Sequence, residues 1–551
     1  MFMKKIKFLL PIIAFSLFSC DQYLDINDSP NNLLFDDATP SKLLPGAQVT
    51  TYRTQAINMN QLGNVFMNSW TRNVSSFGNG FDNELQLNID NTFYSGIWDG
   101  LYRNLKNFDA IIKYPNPDGK YDNYVAAAKI CKAHYMQSIV DLYGDAPYTQ
   151  AWEGNTNTTP AYDDDYTIYQ ALIAELEGAR ALIQAANPAA DDIAAYDVML
   201  QGDMTRWEEF ANTVELRMCL RMSNVTGAKA TYRDSKLATI VGGPFLTDNV
   251  IVNPGYSSAS DPQATPAFNN FAIDIASNAQ QNRTFITMTA HAYKSLQSYA
   301  TTNYPAAGSQ EIISGSGVFY PNVTDARSAR LFTAGAGQGG VRRAVEQGNS
   351  FVTVTTPGGA ATLPGLPCRL GLIGHFNPYA QAPNQTIDEY SSCDGFVMTY
   401  SEACFLLAEA AARADNGEAG YAGFTGAQTW FDAGVTDSFL MKVATMGTYL
   451  TTINAKPNFG YTASTTFNQK LHAIMYQKWV ALLGVNAIQS YIDYTRTGYP
   501  LTPLATNATQ TRKPYRLIYP VSEYIANSAN VPSITQAQAF TINSKVPFWL
   551  Q

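Results

Sequence analysis

Only four histidines occur in 551 residues, His134, His291, His375 and His472, and they stand far apart. No His-Glu-x-x-His run sets two imidazoles on one helix face, so the pattern of a zinc hydrolase is missing. A Gly-x-Ser-x-Gly elbow is also absent, which leaves a serine hydrolase without a visible nucleophile. Charge is sparse, at 15% of residues, and 36 Lys and Arg are outnumbered by 45 Asp and Glu. A protein that neutralises phosphates needs clustered bases, so scattered ones argue against a nucleic-acid partner. Beyond the N-terminus no apolar run reaches the roughly 20 residues that span a bilayer. No Pro- or Ser-rich linker splits the chain, which favours one large domain with insertions over several.

What is present begins with a basic and then apolar N-terminus. Lys4, Lys5 and Lys7 precede an apolar stretch from Phe8 to Phe18, and Ser19-Cys20 follows. These are the parts of a secretory signal. Leu17-Phe18-Ser19-Cys20 resembles a bacterial lipobox, so residues 1–19 are expected to be a signal peptide and Cys20 the lipidated first residue. Removing three lysines takes the net charge from −9 to −12. Each buried acyl CH₂ contributes roughly 0.8 kcal/mol, so several chains hold a domain on a membrane, and this anchor is the only membrane contact expected. Residues 20–38 read as the tether behind it. Five further cysteines, Cys131, Cys219, Cys368, Cys393 and Cys404, are an odd set that leaves at least one unpaired. Cys131 and Cys219 read as small core residues; Cys368 and Cys393 flank a loop segment and pair if their geometry allows.

The 3.6-residue period is clear in several segments. Ala128, Cys131, Tyr135, Ile139 and Leu142 recur at gaps of three or four and predict a helix that ends at Gly144. Trp207, Phe210, Val214, Met218 and Met222 do the same, as do Leu471, Met475, Trp479 and Leu482. Further helices are predicted over about 39–56, 97–113, 166–186, 398–414 and 425–446, with Asp164 or Asp165 capping the third of these. The helices fall into two blocks, an N-terminal part over 39–226 and a C-terminal part with its tail over 388–551. Between them, residues 227–387 are rich in Gly, Pro, Asn, Ser and Thr, with alternating pieces such as Phe351-Val352-Thr353-Val354-Thr355, and read as loops with short strands. The fold class is therefore mainly α: tetratricopeptide-like helix pairs forming an α-solenoid scaffold, with a large irregular insertion.

Aromatics are abundant, 33 Tyr and 28 Phe, and many stand among Asn, Thr, Gly and Ser. A ring on a polar surface offers a stacking face to a sugar or peptide. Trp70, Phe77 and Phe81, in a Gly/Asn/Ser-rich stretch, and Phe319 and Tyr320 in the insertion, are the candidates. Arg72, Asn73 and Asn79 would add hydrogen bonds to hydroxyls or carbonyls. Trp207 and Trp479, at helical spacing, read as core. Gly335-Ala336-Gly337-Gln338-Gly339-Gly340 has the spacing of a dinucleotide loop, but Arg327 and Arg330 precede it and no acid follows at the required distance, so a turn is the better reading. Asp163-Asp164-Asp165, like Asp82 and Glu84, is explained by helix capping; the spacing of a calcium loop is missing. No metal and no cofactor are expected, and no catalytic residue is assigned. A glycosidase needs two carboxylates at a set distance in space, which spacing along a chain does not decide.

Several segments together resemble the SusD/RagB family of outer-membrane lipoproteins of Bacteroidetes, in its second SusD-like branch. They are Tyr23-Leu24-Asp25-Ile26-Asn27-Asp28-Ser29-Pro30-Asn31, Trp98-Asp99-Gly100-Leu101-Tyr102 with Asn104-Leu105, Ser138 to Pro147, Gln477-Lys478-Trp479-Val480-Ala481-Leu482 and Arg516-Leu517-Ile518-Tyr519-Pro520. The acidic run Asp21, Asp25 and Asp28 also resembles the tag that exports such lipoproteins to the cell surface. One departure is Asp325-Ala326-Arg327, where the family often has Asp-Pro-Arg. The resemblance implies a surface-facing, non-enzymatic protein on the outer membrane. It would capture oligosaccharides or peptides for a SusC-like TonB-dependent β-barrel transporter. The rival readings are a transporter lid without a ligand of its own and a surface glycan hydrolase.

Overall fold

The structure is a computed structural model that describes residues 38–73, 80–298, 320–333, 344–348, 353–356, 359–362, 368–371 and 386–551. The chain enters through α1 (Pro40–Thr54), passes one π-helical turn at Gln55–Met59 and continues as α2 (Asn60–Phe66). Four long helices follow: α3 (Ser95–Ile112), α4 (Asp122–Tyr143), α5 (Asp165–Ala185) and α6 (Met204–Arg221). In α3 the buried residues Ile97, Trp98, Leu101, Leu105, Phe108 and Ile111 make one stripe. By contrast α4 is buried on nearly every face, because Ala126, Ala127, Ala128 and Ala133 let α3, α5 and α6 pack around it. It stops where Gly144 takes φ +75°, a left-handed value that favours glycine. Asp164, one of the two capping candidates, accepts from the Thr167 amide at 2.9 Å and starts α5.

The second block holds α8 (Tyr400–Asp415), α9 (Ala427–Met441), α10 (Phe467–Leu482) and α11 (Ala487–Thr497). Thr466 and Gln469 form a reciprocal capping box at the head of α10. The molecule is thus built mostly of packed helices, as the periodicity predicts; α3 packs on α4, α4 on α5, α5 on α6, and α8 on α9 and α10. Trp207 and Trp479 are core, as expected. Helices depart from the reading of 227–387 as loops and strands: the long α7 (Gly227–Ile240) runs there and packs on α6, and short helices follow at Pro266–Phe271, Gln281–Phe285, Ala290–Leu296 and Ser328–Leu331. Only Arg233, Leu237 and Ile240 of α7 are buried, too few to show a period.

The two blocks meet where α6 crosses α8 and where α2 crosses α11. A side chain at Gly63 would meet the Ala487 carbonyl carbon at 2.2 Å, so the second crossing is close enough to require glycine. The first is cemented by buried charge. Arg221 of α6 pairs with Asp141 of α4 at 3.3 Å and with Asp493 of α11; Asp493 also takes Lys478 of α10 at 2.9 Å and Arg496 at 3.3 Å. Arg496 pairs with Glu409 of α8 at 2.6 Å, and Arg413 joins Glu409 at 2.9 Å. Single members of such a network are costly to remove, because their partners stay buried without compensation.

The strands among the described residues are short and antiparallel. β1 (Trp70–Arg72) pairs with β3 (Ile286–Met288), β2 (Val250–Val252) with β8 (Gly395–Met398), β4 (Phe332–Thr333) with β7 (Arg369–Leu370), and β5 (Thr353–Thr356) with β6 (Gly359–Thr362). The Asp325-Ala326-Arg327 turn forms without its proline: the Ser328 amide donates to the Asp325 carbonyl at 3.1 Å. Arg327 lies fully buried between Asp325, Tyr449 and Gln477. Cys368 and Cys393 are buried thiols, and Cys393 Sγ donates to the Glu389 carbonyl at 3.2 Å. Among the described residues no helix is long and apolar enough to cross a membrane.

Candidate functional site

The residues singled out after the first helix come together, but as structure. Trp70 is 0% exposed and its ring packs 5.1 Å from Phe271, which corrects the expectation of an exposed stacking ring. Gln347 holds the strand from the side, donating to the Trp70 carbonyl at 2.9 Å. Arg72 and Asn73 are likewise buried. Arg72 pairs with Asp82 and donates to the Gly80 carbonyl, while Asn73 Nδ2 donates to the Thr284 carbonyl at 3.0 Å. Phe81 is 8% exposed and packs against Phe285 with ring centres 5.1 Å apart and the planes tilted, so it too belongs to the wall and not to the surface. Long-range packing is the reason: β1 lies along β3, and the side chains of Arg72 and Asn73 find their partners in the flanking segments, at Gly80, Asp82 and Thr284.

Tyr320 is half-buried, with its hydroxyl 3.2 Å from His291 Nδ1 and Lys294 Nζ 5.4 Å from its ring centre. His291 packs against Trp479 at 5.3 Å; burial, with the cations Lys513 and Lys294 close by, pushes its pKa well below the usual imidazole range and keeps it neutral. Cys20, Phe77, Asn79, Phe319, His375 and the tract 335–340 lie outside the described residues.

The helix that holds this wall, Gln281–Phe285, also borders an open cleft of about 280 Å³. The cleft is lined by Asn269, Asn270, Gln280, Gln281, Asn282 and Arg53, with Ile57 and the buried Pro266 as its apolar members. Gln280 Nε2 donates to Asn269 Oδ1 at 3.2 Å, and Asn282 Nδ2 donates to Asn270 Oδ1. Each of these bonds uses one donor and one acceptor. The amide donors of Asn269 and Asn270 and the carbonyl oxygens of Gln280 and Asn282 remain for a ligand. Arg53, near the end of α1, and Ile57, inside the π turn, both line the cleft; π turns recur at functional sites. Gln55, in the same turn, is buried and donates to the Val397 carbonyl at 2.9 Å, which ties the cleft wall to β8.

Among the described residues no carboxylate or imidazole lines this cleft. A donor-and-acceptor surface of that kind can read hydroxyl or amide groups. The cleft residues were not singled out from the sequence. The amide runs Asn269-Asn270 and Gln280-Gln281-Asn282 were the available signal, but their partner Arg53 is more than 200 positions away.

The acidic cluster is different in kind. Asp145, Asp164 and Asp165 bring their carboxylates within 4.8 Å of one another. Each already accepts from backbone: Asp145 from the Asp165 amide, Asp164 from Thr167 and Asp165 from Phe548 at 2.7 Å. Burial and the neighbouring Asp145 push Asp165 up to about 7.

Comparison with known proteins gives the class. The second SusD-like family model, described as starch-binding and associating with the outer membrane, matches residues 30–294 and 370–520. The chain belongs to this SusD/RagB family. Among solved structures, it resembles a chitin-binding SusD homologue from Flavobacterium johnsoniae at 21% identity and TM-score 0.62, covering 89% of this chain and 93% of that one. A SusD homologue from Parabacteroides distasonis matches at 20% identity and TM-score 0.65, covering 89% and 93%. One from Bacteroides uniformis matches at 20% identity and TM-score 0.63, covering 92% and 99%. At these identities the likeness is one of fold. No curated protein matches the chain by sequence.

Proposed function

We propose that this protein is a lipid-anchored, non-catalytic glycan-binding protein of the outer surface, and that the amide-lined cleft holds a neutral oligosaccharide. One observation carries the reading: five side-chain amides and an arginine line a single, mostly polar cleft, with no carboxylate or imidazole among its described lining residues. Sugar hydroxyls are both donors and acceptors, and side-chain amides match them in both roles. The acidic net charge of −9 favours an uncharged ligand there. The family description as starch-binding supports a glycan, as does the chitin-binding relative. Lipidation at Cys20 would fix the protein to the membrane, and a SusC-like TonB-dependent barrel would receive the captured oligomer.

Isothermal titration of the mature chain against malto- and chito-oligosaccharides and against short peptides, followed by chromatography of the recovered sugar, tests this. The expected result is saturable heat with at least one neutral series and recovery of that sugar at its original length. Shortened products would establish a hydrolase instead, and heat with peptides but with no sugar would redirect the cleft to peptide amides.

A further inference from the structure

The helix Gln281–Phe285 has only five residues, none of them buried. A helix so short is marginal by itself, because its first turn fixes several residues for a single hydrogen bond. What holds it comes from other parts of the chain. At its entry the Gln280 amide donates to the Ala272 carbonyl at 3.0 Å, which ties it to the end of the helix Pro266–Phe271. At its exit Asn73 reaches two successive carbonyls: its backbone amide donates to Phe285 at 2.6 Å and its Nδ2 to Thr284 at 3.0 Å.

The last carbonyls of a helix find no partner inside it. Asn73 serves two of them from 211 positions away along the chain, and at 1% exposure it lies too deep to touch a ligand. Its neighbours fix the same end. Arg283 Nε donates to the Leu370 carbonyl of β7 at 3.2 Å. The Phe285 ring packs against Phe81, and a Cβ added at Gly80 would stand 2.0 Å from it. The opposite end of the helix gives Gln281 and Asn282 to the amide cleft, with Gln280 just before them. Five residues rise about 7.5 Å, so a tilt at the exit carries straight to these amides.

We propose that Asn73 is a positioning residue for the amide cleft: by capping the exit of this helix it sets the direction in which Gln281 and Asn282 present their amides. The proposal rests on the reading of that cleft as the binding site for a neutral oligosaccharide. Hydrogen bonds weaken steeply as they bend, so a small rotation of the helix lowers affinity although every lining residue is still present.

The test is titration with maltohexaose and chitohexaose of the mature wild type, Asn73→Asp, Q281A/N282A and the combination of the two. Asn73→Asp keeps the shape and the backbone amide, but it replaces the Nδ2 donor with a carboxylate that faces the carbonyl end of a helix, where negative charge is unfavourable. It is expected to weaken binding about tenfold. In the Q281A/N282A background, which lacks the amides that Asn73 aims, the same substitution is expected to change affinity by less than about twofold, because residues acting through one another are not additive. A general loss of stability would give the same factor in both backgrounds. Arg283→Ala, a change at a half-buried position, is expected to show the same dependence on background, so the result does not hang on Asn73→Asp folding. Hydrogen exchange of the sugar-free proteins gives a second readout, with the amides of 282–286 exchanging faster in Asn73→Asp than in wild type. Equal affinity of wild type and Asn73→Asp, an equal factor in both backgrounds, or unchanged exchange would each overturn the proposal. Failure of both sugars to bind the wild type would instead overturn the cleft reading beneath it.

Discussion

Asp493→Leu is expected to cost the folded protein roughly 3–5 kcal/mol, read as a fall in the urea midpoint at neutral pH. Asp493 is 1% exposed and serves Arg221, Lys478 and Arg496 together. Leucine fills a similar volume but leaves three cations with fewer partners: Asp141 remains for Arg221, Glu409 for Arg496, and Glu402 at 3.9 Å for Lys478. The same cations, Arg221 first, hold the Asp493 carboxyl well below the usual carboxylate range despite its burial. A depressed carboxyl stabilises the fold fully above its unfolded pKa of about 4 and loses that contribution as pH falls through the folded value. The gap between wild type and Asp493→Leu should therefore narrow as the solution is made acidic. A cost under about 1 kcal/mol at neutral pH would mean that α6, α10 and α11 are held by packing alone.

The double variant N270A/N282A is expected to lose about 2 kcal/mol of neutral-oligosaccharide binding, roughly a thirtyfold weakening, because it removes two amides that each offer one or two hydrogen bonds. Both residues are half-exposed, so folding stability should change by no more than about 1 kcal/mol. Titration of wild type and variant, with a thermal melt of each, separates the two effects. Unchanged affinity would remove the amide cleft from the binding site, whereas a large drop in stability would make the affinity change uninformative and call for the single variants.

Much of the scaffold is legible in the sequence because local rules decide it. Trp207 and Trp479 stand at helical spacing with apolar partners and are core; Asp164 caps and Gly144 terminates because side-chain and backbone geometry at those points needs only a few neighbours. The helix Gly227–Ile240 escapes that reading, since it buries only Arg233, Leu237 and Ile240 and starts at a glycine.

The site was less legible, and Trp70 shows why. Ser69, Thr71, Arg72 and Asn73 surround it, and a polar neighbourhood suggests solvent. In the fold those same residues are buried, because Ser69 accepts from Trp479 Nε1 at 3.0 Å and Asn73 reaches Thr284 across 211 positions. Polar residues next to one another in the chain mark a surface only when nothing distant satisfies them. The amide cleft has the converse problem: Arg53, Asn269 and Gln281 are ordinary surface residues until the π turn and two short helices converge.

The most direct measurement is a crystal structure of the mature protein with a neutral oligosaccharide that it binds. The account predicts a sugar in the amide cleft, with hydroxyls within hydrogen-bond distance of Asn269, Asn270, Gln280 or Asn282 and no covalent change in the chain. A fully occupied oligosaccharide elsewhere on the molecule, with the amide cleft holding only water, would contradict it.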